Sequence, residues 1–165
     1  MEHPATTPRL ILVCGLPGSG KTTAARAIEL QRRAIRLCPD EWMATLAIDL
    51  FDEGMRARIE ALQWELAQSL LRLGLSVIIE WGTWARAERD ALRTGARALG
   101  AGVELHALVL PTEELLERIR CRGRENPPIE RADLDLWHAA FEVPTPEEIA
   151  LFDSPLDCGE REKSS

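Results

Sequence analysis

The sequence contains no apolar run that approaches the length of about 20 residues needed by a membrane-spanning helix. Its first residues, Met1 to Pro8, are polar and include no apolar segment of the kind found in secretion signals. Internal repeats and low-complexity segments are also missing. These absences predict a chain that neither spans a membrane nor is exported, so we expect it in the cytoplasm.

The cysteines show no paired spacing of the kind that forms zinc sites or disulfide frameworks. They are scattered at positions Cys14, Cys38, Cys121 and Cys158. Cys14 and Cys38 lie in apolar stretches typical of strands, where buried free thiols are common. We therefore expect free thiols, which suit a reducing compartment.

Basic residues are outnumbered, with 20 Lys and Arg against 27 Asp and Glu and a net charge of −7. A general nucleic-acid binder usually carries a basic face, so this balance argues against that class while leaving room for a local basic groove. The 45% of apolar and 28% of charged residues are typical of globular proteins, and 165 residues suffice for one domain with a full core. We assign residues 1–158 to a single domain and residues 159–165 to a flexible tail.

The most specific pattern in the chain is the octapeptide GLPGSGKT at residues 15–22. It matches the phosphate-binding loop G-x-x-x-x-G-K-[ST], or P-loop, whose glycines let successive backbone N–H groups point at phosphate oxygens. An apolar, strand-like stretch precedes it and a helix-forming stretch follows it, which is the context that the loop requires. In such loops the lysine, here Lys21, reaches the β- and γ-phosphates, and the hydroxyl of Thr22 binds Mg²⁺.

We therefore predict that the chain binds ATP and Mg²⁺. The residues expected to contact the nucleotide are Gly15, Pro17, Gly18, Ser19, Gly20, Lys21, Thr22 and Thr23. The alternative is a glycine-rich turn with a solvated lysine. It is disfavoured because the full pattern arises by chance in roughly one of a few hundred chains of this length.

Strand-like and helix-like stretches alternate along the chain. The predicted strands cover residues 9–14, 34–38, 75–79 and 103–110, and a fifth strand near residues 149–153 is left open. The predicted helices cover residues 23–31, 55–73, 86–99, 112–122 and 131–141. Thr112 is expected to cap the fourth helix, and the second carries an apolar stripe of Ile59, Leu62, Leu66, Leu70 and Leu73. The alternation indicates an α/β three-layer sandwich, a four- to five-stranded parallel sheet with helices on both faces.

Two carboxylates lie at predicted strand ends, where folds of this class bind their ligands. Asp40 follows the second strand and Glu80 closes the third. A carboxylate buried at such a place needs a partner, and beside a triphosphate Mg²⁺ or its water shell would be one. Two structural alternatives stay open: Asp40 as the N-cap of a following helix, and Glu80 as the partner of a nearby arginine.

A cluster of arginines follows the fourth strand and its helix. Arg118 and Arg122 share one helical face because they are four residues apart, and Gly123 loosens the chain before Arg124. Arginines on a mobile segment suit a lid that neutralises charge on a transferring phosphoryl group. The alternative is a solvated basic face that balances the neighbouring glutamates.

Three of the five tryptophans lie beside the two strand-end carboxylates. They are Trp42, Trp81 and Trp84. Flat aromatic walls suit a ring, a nucleobase or an apolar molecule, and ordinary packing is the equal alternative. The other two, Trp64 and Trp137, lie on predicted helices and are assigned to the core.

Together these features resemble the small P-loop kinases that include polynucleotide 5′-kinases, chloramphenicol phosphotransferase and the zeta toxins, with an AAA-type ATP-binding domain. The likeness extends over about residues 9–153. It implies that Asp40 approaches the acceptor hydroxyl as general base and that Glu80 organises the acceptor or the metal. It also implies an arginine downstream of the strand-end acid, either Arg86 or Arg89, and it identifies the lid with Arg118, Arg122 and Arg124.

The resemblance implies a P-loop kinase, an ATP-dependent phosphotransferase. Its catalytic residues would be Lys21, Asp40, Arg118, Arg122 and Arg124. Its acceptor side would comprise Asp40, Trp42, Glu80, Trp81, Trp84, Arg86 and Arg89.

Three functions remain open at this point. The acidic charge and the tryptophans favour a kinase for a small hydroxylated molecule. A polynucleotide 5′-hydroxyl kinase is the first alternative, although such kinases usually carry an arginine shortly after the acceptor aspartate and Glu41, Trp42 and Met43 supply none. An ATP-binding regulatory protein with weak or no turnover is the second. The sequence indicates neither the acceptor nor the oligomeric state.

Overall fold

Strands and helices alternate in the computed structural model, which describes residues 7–123 and 128–156. The strands are β1 (Arg9–Gly15), β2 (Ile35–Leu37), β3 (Val77–Ile79) and β4 (Gly102–Leu108). The helices are α1 (Lys21–Arg32), α2 (Pro39–Thr45), α3 (Glu53–Arg72), α4 (Arg86–Ala98), α5 (Thr112–Arg122), α6 (Arg131–Ala140) and α7 (Pro146–Ile149). The alternation predicted from the sequence is confirmed.

The strands form one parallel sheet in the order β2-β3-β1-β4. The two inner strands, β1 and β3, are apolar and buried along nearly their whole length, as expected for a sheet covered on both faces. Because all the strands run in the same direction, β1, β2 and β3 end at one edge of the sheet. The P-loop, Asp40 and Glu80 follow these three ends and therefore meet there.

Side chains that alternate along β1 pack against different helices, which defines the layers. Leu10 and Leu12 join a buried cluster with residues of α3 and α4. Ile11 and Val13 pack on the other face with Ala25 of α1. The parallel sheet between helices is the predicted architecture, with four strands in the described residues.

The fifth strand left open near residues 149–153 does not form in the described residues. Residues Pro146–Ile149 form the short helix α7, because Pro146 suits a first helical turn and the side chain of Thr145 accepts a hydrogen bond from the Glu148 N–H. After it, Asp153 is tied to β4. Its N–H donates to the Val103 carbonyl at 2.8 Å, and its carboxylate accepts from the Val103 N–H at 2.7 Å.

Two helix details also differ from the prediction. Thr112 is the first residue of α5 and caps nothing, since the N-cap position is occupied by Pro111. The buried side of α3 is formed by Ile59, Gln63, Ala67 and Leu71. The predicted stripe overlaps this side only at Ile59, and its members Leu62 and Leu73 are 58% and 75% exposed.

The thiols of Cys14 and Cys38 are buried and free, as predicted. Burial raises the pKa of each of these thiols to about 11, so both are protonated at neutral pH. Cys158 lies outside the described residues. Among the helices described, none combines the length and the apolar character that crossing a lipid bilayer demands.

Candidate active site

The P-loop is packed tightly between β1 and α5. Gly18 has a φ of +83°, and a Cβ placed there would lie 2.9 Å from the Ile119 side chain, so a larger residue fits neither the backbone nor the space. Ser19 is 2% exposed, and its hydroxyl has no hydrogen-bond partner in the described chain. The tight cradle and the unsatisfied hydroxyl both suit a loop built to receive phosphate oxygens.

Lys21 begins α1 and lies where the loop closes. Its ammonium group donates to the Leu16 carbonyl at 2.9 Å, across the loop. Burial lowers the pKa of this ammonium, and the carboxylates of Glu80 and Asp40 oppose the shift. Lys21 thus lies close to two acids at the start of α1.

Thr22 and Glu80 are joined by a hydrogen bond from the threonine hydroxyl to the carboxylate. The second oxygen of Glu80 accepts from Arg36 at 2.6 Å, and both side chains of this pair are more than nine-tenths buried. Arg36 also donates to Glu41 at 2.6 and 2.7 Å. Glu80 therefore has both the arginine partner considered as an alternative and a contact with the predicted metal-binding threonine.

These oxygens fit Mg²⁺, which prefers hydroxyl, carboxylate and phosphate oxygens. The described residues contain no group of three or more His, Cys, Asp or Glu side chains able to hold a metal ion by themselves. A magnesium ion would therefore be held by Thr22 and Glu80 together with the phosphates of a bound nucleotide, as P-loop sites require.

Asp40 lies in the first turn of α2, where Pro39 begins the helix and Cys38 occupies the N-cap position. Asp40 is thus not the N-cap. Its carboxylate forms an ion pair with Arg56 of α3 at 2.7 Å. The side chain of Asp40 is 61% exposed, so its carboxylate is open to a bound molecule. No arginine follows Asp40 closely in the sequence, and the arginine beside its carboxylate comes from another helix.

A cavity of about 930 Å³ connects the P-loop with the acceptor side. Its phosphate end includes Pro17, Gly18, Gly20, Lys21, Thr22 and Thr23. Its far part is lined by Asp40, Glu53, Arg56, Glu60, Trp64, Trp81, Thr83, Trp84, Glu88 and Trp137, among others. Glu80 lies between the two parts. A volume of this size is large enough for the phosphate groups of a nucleotide and for a second small molecule.

The tryptophans divide differently from the prediction. Trp81 and Trp84 line the cavity as expected. Trp42 does not; it is partly buried against the core beside the sheet. Trp64 and Trp137, assigned to the core from the sequence, are partly buried and also line the cavity. The rings of Trp84 and Trp137 lie 6.3 Å apart between centroids, within the range of aromatic pairs.

Two of the three predicted lid arginines, Arg118 and Arg122, lie on α5, beside the P-loop. Arg122 lines the cavity at the end of the helix. Arg118 forms an ion pair with Glu114 at 2.6 Å, and one of its terminal nitrogens is 3.8 Å from the Cβ position built on Gly20. Arg124 lies outside the described residues.

The two arginines predicted on the acceptor side are not brought to the cavity. Arg89 is fully buried, and all five N–H donors of its guanidinium are used inside the protein. They bind the Glu148 carboxylate at 2.6 and 3.0 Å and the carbonyls of Thr83, Trp84 and Glu142. Arg89 is therefore a correction to the predicted substrate-binding set, because it holds the wall of the cavity from behind.

Arg86 is exposed and lies near Asp90, with 3.6 Å between the charged atoms. Its backbone N–H donates to the Glu142 carboxylate at 2.7 Å. The segment after α6 is thereby bound to the N-terminus of α4. The side chain of Arg86 does not line the cavity.

Several residues of the site carry no local signal in the sequence. Arg36 and Arg56 lie on a strand and a helix like many other arginines, and only the fold places them beside Glu80 and Asp40. Trp64 lies on a predicted helix, where an aromatic residue is ordinarily assigned to the core. For Arg56 and Trp64 the sequence offers one weak signal. Glu53, Arg56, Glu60 and Trp64 lie on one helical face, at spacings of three and four.

Comparison with known proteins agrees with this geometry. Residues 10–144 match a family model, AAA_33, described as an AAA domain. A sugar kinase from Janibacter sp. HTCC2649 is 27% identical, with a TM-score of 0.61 over 87% of this chain and 82% of that chain. The chain has no significant match among the curated proteins.

Two further solved structures share the fold. A chain of the Pnkp1/Rnl/Hen1 RNA repair complex is 21% identical, with a TM-score of 0.72 over 96% of this chain and 51% of that chain. This chain therefore spans about half the length of that relative. Kti12 from Chaetomium thermophilum, in complex with ADP-AlF3, is 21% identical with a TM-score of 0.59, over 85% of this chain and 83% of that chain. Likenesses at this level of identity describe the fold alone.

Proposed function

The chain belongs to the AAA_33 family of AAA domains, and from the geometry of its site we propose that it is an ATP-dependent phosphotransferase that moves the γ-phosphate to a hydroxyl group of a small molecule. The observation that carries this proposal is the position of Asp40. It lines the same cavity as Lys21 and Thr22, across which a hydroxyl group would meet the γ-phosphate. A site that merely binds a nucleotide has no need of such a carboxylate.

The proposed reaction follows from the charges around the cavity. Asp40 orients the acceptor hydroxyl and accepts its proton as the oxygen forms its bond to the γ-phosphorus. Lys21 and the loop N–H groups stabilise the charge that moves to the bridging oxygen as its bond to that phosphorus breaks and ADP is formed. Thr22 and Glu80 would hold Mg²⁺, which when bound neutralises phosphate charge. Arg118 and Arg122 would stabilise the equatorial oxygens of the transferring group.

Glu80 and Arg36 act behind these residues. Glu80 fixes the Thr22 hydroxyl, and Arg36 holds the Glu80 carboxylate in place by a short, buried hydrogen bond. Neither needs to touch the acceptor. This arrangement gives Glu80 a role in organising the metal, one of the two roles that the resemblance implied.

A polynucleotide 5′-hydroxyl kinase is the second candidate. The Asp40–Arg56 pair favours it, since that arginine stands beside the proposed base. The far part of the cavity argues against it, because its side chains are largely acidic and aromatic.

A binding protein without turnover is the third candidate. Either kinase function would operate in the cytoplasm, where ATP is abundant.

The proposal is tested by separating nucleotide binding from turnover. Lys21→Ala is expected to lower transfer by about 100-fold or more, because one stabilising donor is lost from the transition state. Asp40→Asn should keep ATP binding within about twofold while transfer falls by roughly 10²–10⁴. Binding is measured with a fluorescent ATP analogue and transfer with γ-labelled ATP. Equal loss of binding and transfer in Asp40→Asn would show that Asp40 is a structural or metal-binding group.

A further inference from the structure

The far part of the cavity has aromatic walls. Trp64 on α3, Trp81 and Trp84 after β3, and Trp137 on α6 surround it from different elements. The indole of Trp81 is held by a hydrogen bond from its N–H to the Gln63 side chain at 2.8 Å. Fixed aromatic faces of this kind attract planar rings and also cations.

The charged groups among these walls are mainly carboxylates. Asp40, Glu53, Glu60 and Glu88 line this part, and the arginines that line the cavity are Arg56 and, at the end of α5, Arg122. Arg56 is paired with Asp40 at 2.7 Å. Glu88 accepts a hydrogen bond from the Ala85 N–H and forms no ion pair with the described residues.

Glu60 is the most informative of these carboxylates. It is half-buried in the cavity wall, one turn after Arg56, and forms neither an ion pair nor a hydrogen bond with the described part of the chain. Burial raises the pKa of this carboxyl, the charge of Arg56 lowers it, and the charges of Glu88 and Asp40 raise it further. Glu60 is thus a half-buried carboxyl without an ion pair in the described residues, and the charge of Arg56, which also pairs with Asp40, compensates it only in part.

Thr83 contributes to the same wall. It lines the cavity, is 7% exposed and has a φ of +42°, an uncommon conformation for a residue with a branched side chain. Its hydroxyl is buried and interacts with the Cys14 thiol of β1, whose pKa it lowers, so Thr83 fixes the wall against the sheet.

We propose that the phosphate acceptor is an amine-bearing hydroxyl compound with a ring, whose ammonium group binds between Glu60, Glu88 and the tryptophan walls. This inference rests on the proposed function, because it names the acceptor class of the same site. The ring covers the indoles, the ammonium group supplies the missing counter-charge, and the hydroxyl group points to Asp40. A polynucleotide or a sugar acid would instead bring negative charge toward four carboxylates.

The test uses three probes that share one ring and the same two hydroxyl groups but differ in charge. They are 2-amino-1-phenylpropane-1,3-diol, its N-acetyl derivative and its N-succinyl derivative, which are cationic, neutral and anionic at pH 7. Their affinities are measured by quenching of tryptophan fluorescence without ATP. We expect the cation to bind roughly five- to twentyfold more tightly than the neutral compound, and the anion most weakly.

Two variants make the test specific. Glu60→Gln should reduce the preference for the cation to about threefold or less, since one carboxylate is removed without a change of shape. Glu65→Gln removes the same charge from α3 at an exposed position outside the cavity, and should keep the full preference. Equal or tighter binding of the neutral or anionic probe overturns the proposal. So does a preference that Glu60→Gln leaves intact, or the failure of all three probes to bind.

Phosphate transfer to the same probes separates this proposal from the proposed function. Transfer from γ-labelled ATP to the neutral or anionic compound in preference to the cation would retain the kinase and overturn the acceptor class. Preferential binding of the cation with no transfer to it or to any other hydroxyl compound would retain a cation-binding cavity and overturn the kinase.

Discussion

At the scale of single residues, the site depends on carboxylates whose partners come from distant parts of the chain. Arg36 of β2 stands between three of them, Glu29, Glu41 and Glu80, and its side chain is 8% exposed. Its hydrogen bond to Glu41 is the chief cause that holds the pKa of that carboxyl below its usual value. The same guanidinium binds Glu80, which accepts from Thr22, so a single side chain connects the P-loop threonine to the surface of α2.

Replacing Arg36 should therefore affect both stability and activity. Arg36→Met leaves Glu80 buried without a cation, and we expect the free energy of unfolding to fall by roughly 3–5 kcal/mol. Arg26→Met is the matched control, because Arg26 also pairs with Glu41 but at an exposed position, where a loss of at most about 1 kcal/mol is expected. Urea denaturation followed by tryptophan fluorescence measures both. A similar, small effect in the two variants would contradict the role given to Arg36.

Glu60 gives a prediction of the opposite sign. Its pKa is raised in the folded protein, so ionisation costs stability, and this cost appears as the pH rises from the ordinary glutamate pKa through the raised one. Glu60→Gln should therefore raise the melting temperature at pH 7, and the gain should vanish near pH 4, where the wild-type carboxyl is protonated. Thermal denaturation with Glu65→Gln as control checks this. A gain that is independent of pH would contradict the explanation.

At the scale of secondary-structure elements, the cavity wall is held by the segment that follows α6. Glu142 binds the N-terminus of α4 through the Arg86 N–H, and Glu148 of α7 forms a buried ion pair with Arg89. Arg89 also holds the carbonyls of Thr83 and Trp84. The loop that carries the cavity tryptophans is thus positioned by residues about 60 positions later in the chain.

Arg89→Met should remove this support. Glu148 would stay buried without a partner, and we expect a loss of roughly 3–5 kcal/mol in the free energy of unfolding. Arg86→Met, on the same helix but exposed, should cost at most about 1 kcal/mol. Chemical denaturation of the two variants distinguishes a buried clamp from an exposed substrate contact. An undisturbed stability in Arg89→Met would contradict the clamp.

The elements also show which parts of the fold were predictable. The P-loop, the alternating strands and the two strand-end acids follow from local patterns, because short apolar runs, glycines and caps act within a few residues. The roles of Arg36, Arg56 and Arg89 depend on contacts across the sheet. The leucine stripe of α3 misled for a related reason: spacing alone does not say which side of a helix packs on the sheet, and Leu62 and Leu73 of that stripe are exposed.

At the scale of the whole molecule, the charged residues behind the net charge of −7 are unevenly distributed. Lys21 lies at the phosphate end of the cavity, with Arg118 beside the loop, while the carboxylates of α3 and α4 line its far part. A field of this polarity places the phosphates of a nucleotide at one end and favours a cationic or neutral partner at the other. The distribution of charge, more than its total, is what favours a small-molecule acceptor over a nucleic acid.

The central claim is that one cavity binds ATP at the P-loop and an acceptor hydroxyl at Asp40. The most direct measurement is transfer of label from γ-labelled ATP·Mg²⁺ to a panel of nucleosides, sugars, hydroxyl-bearing amines and 5′-hydroxyl oligonucleotides, with Asp40→Asn as control. We predict a labelled hydroxyl compound with the wild type and a loss of about 100-fold or more in the control. Label found as free phosphate alone, or a product formed equally well by Asp40→Asn, would contradict the claim.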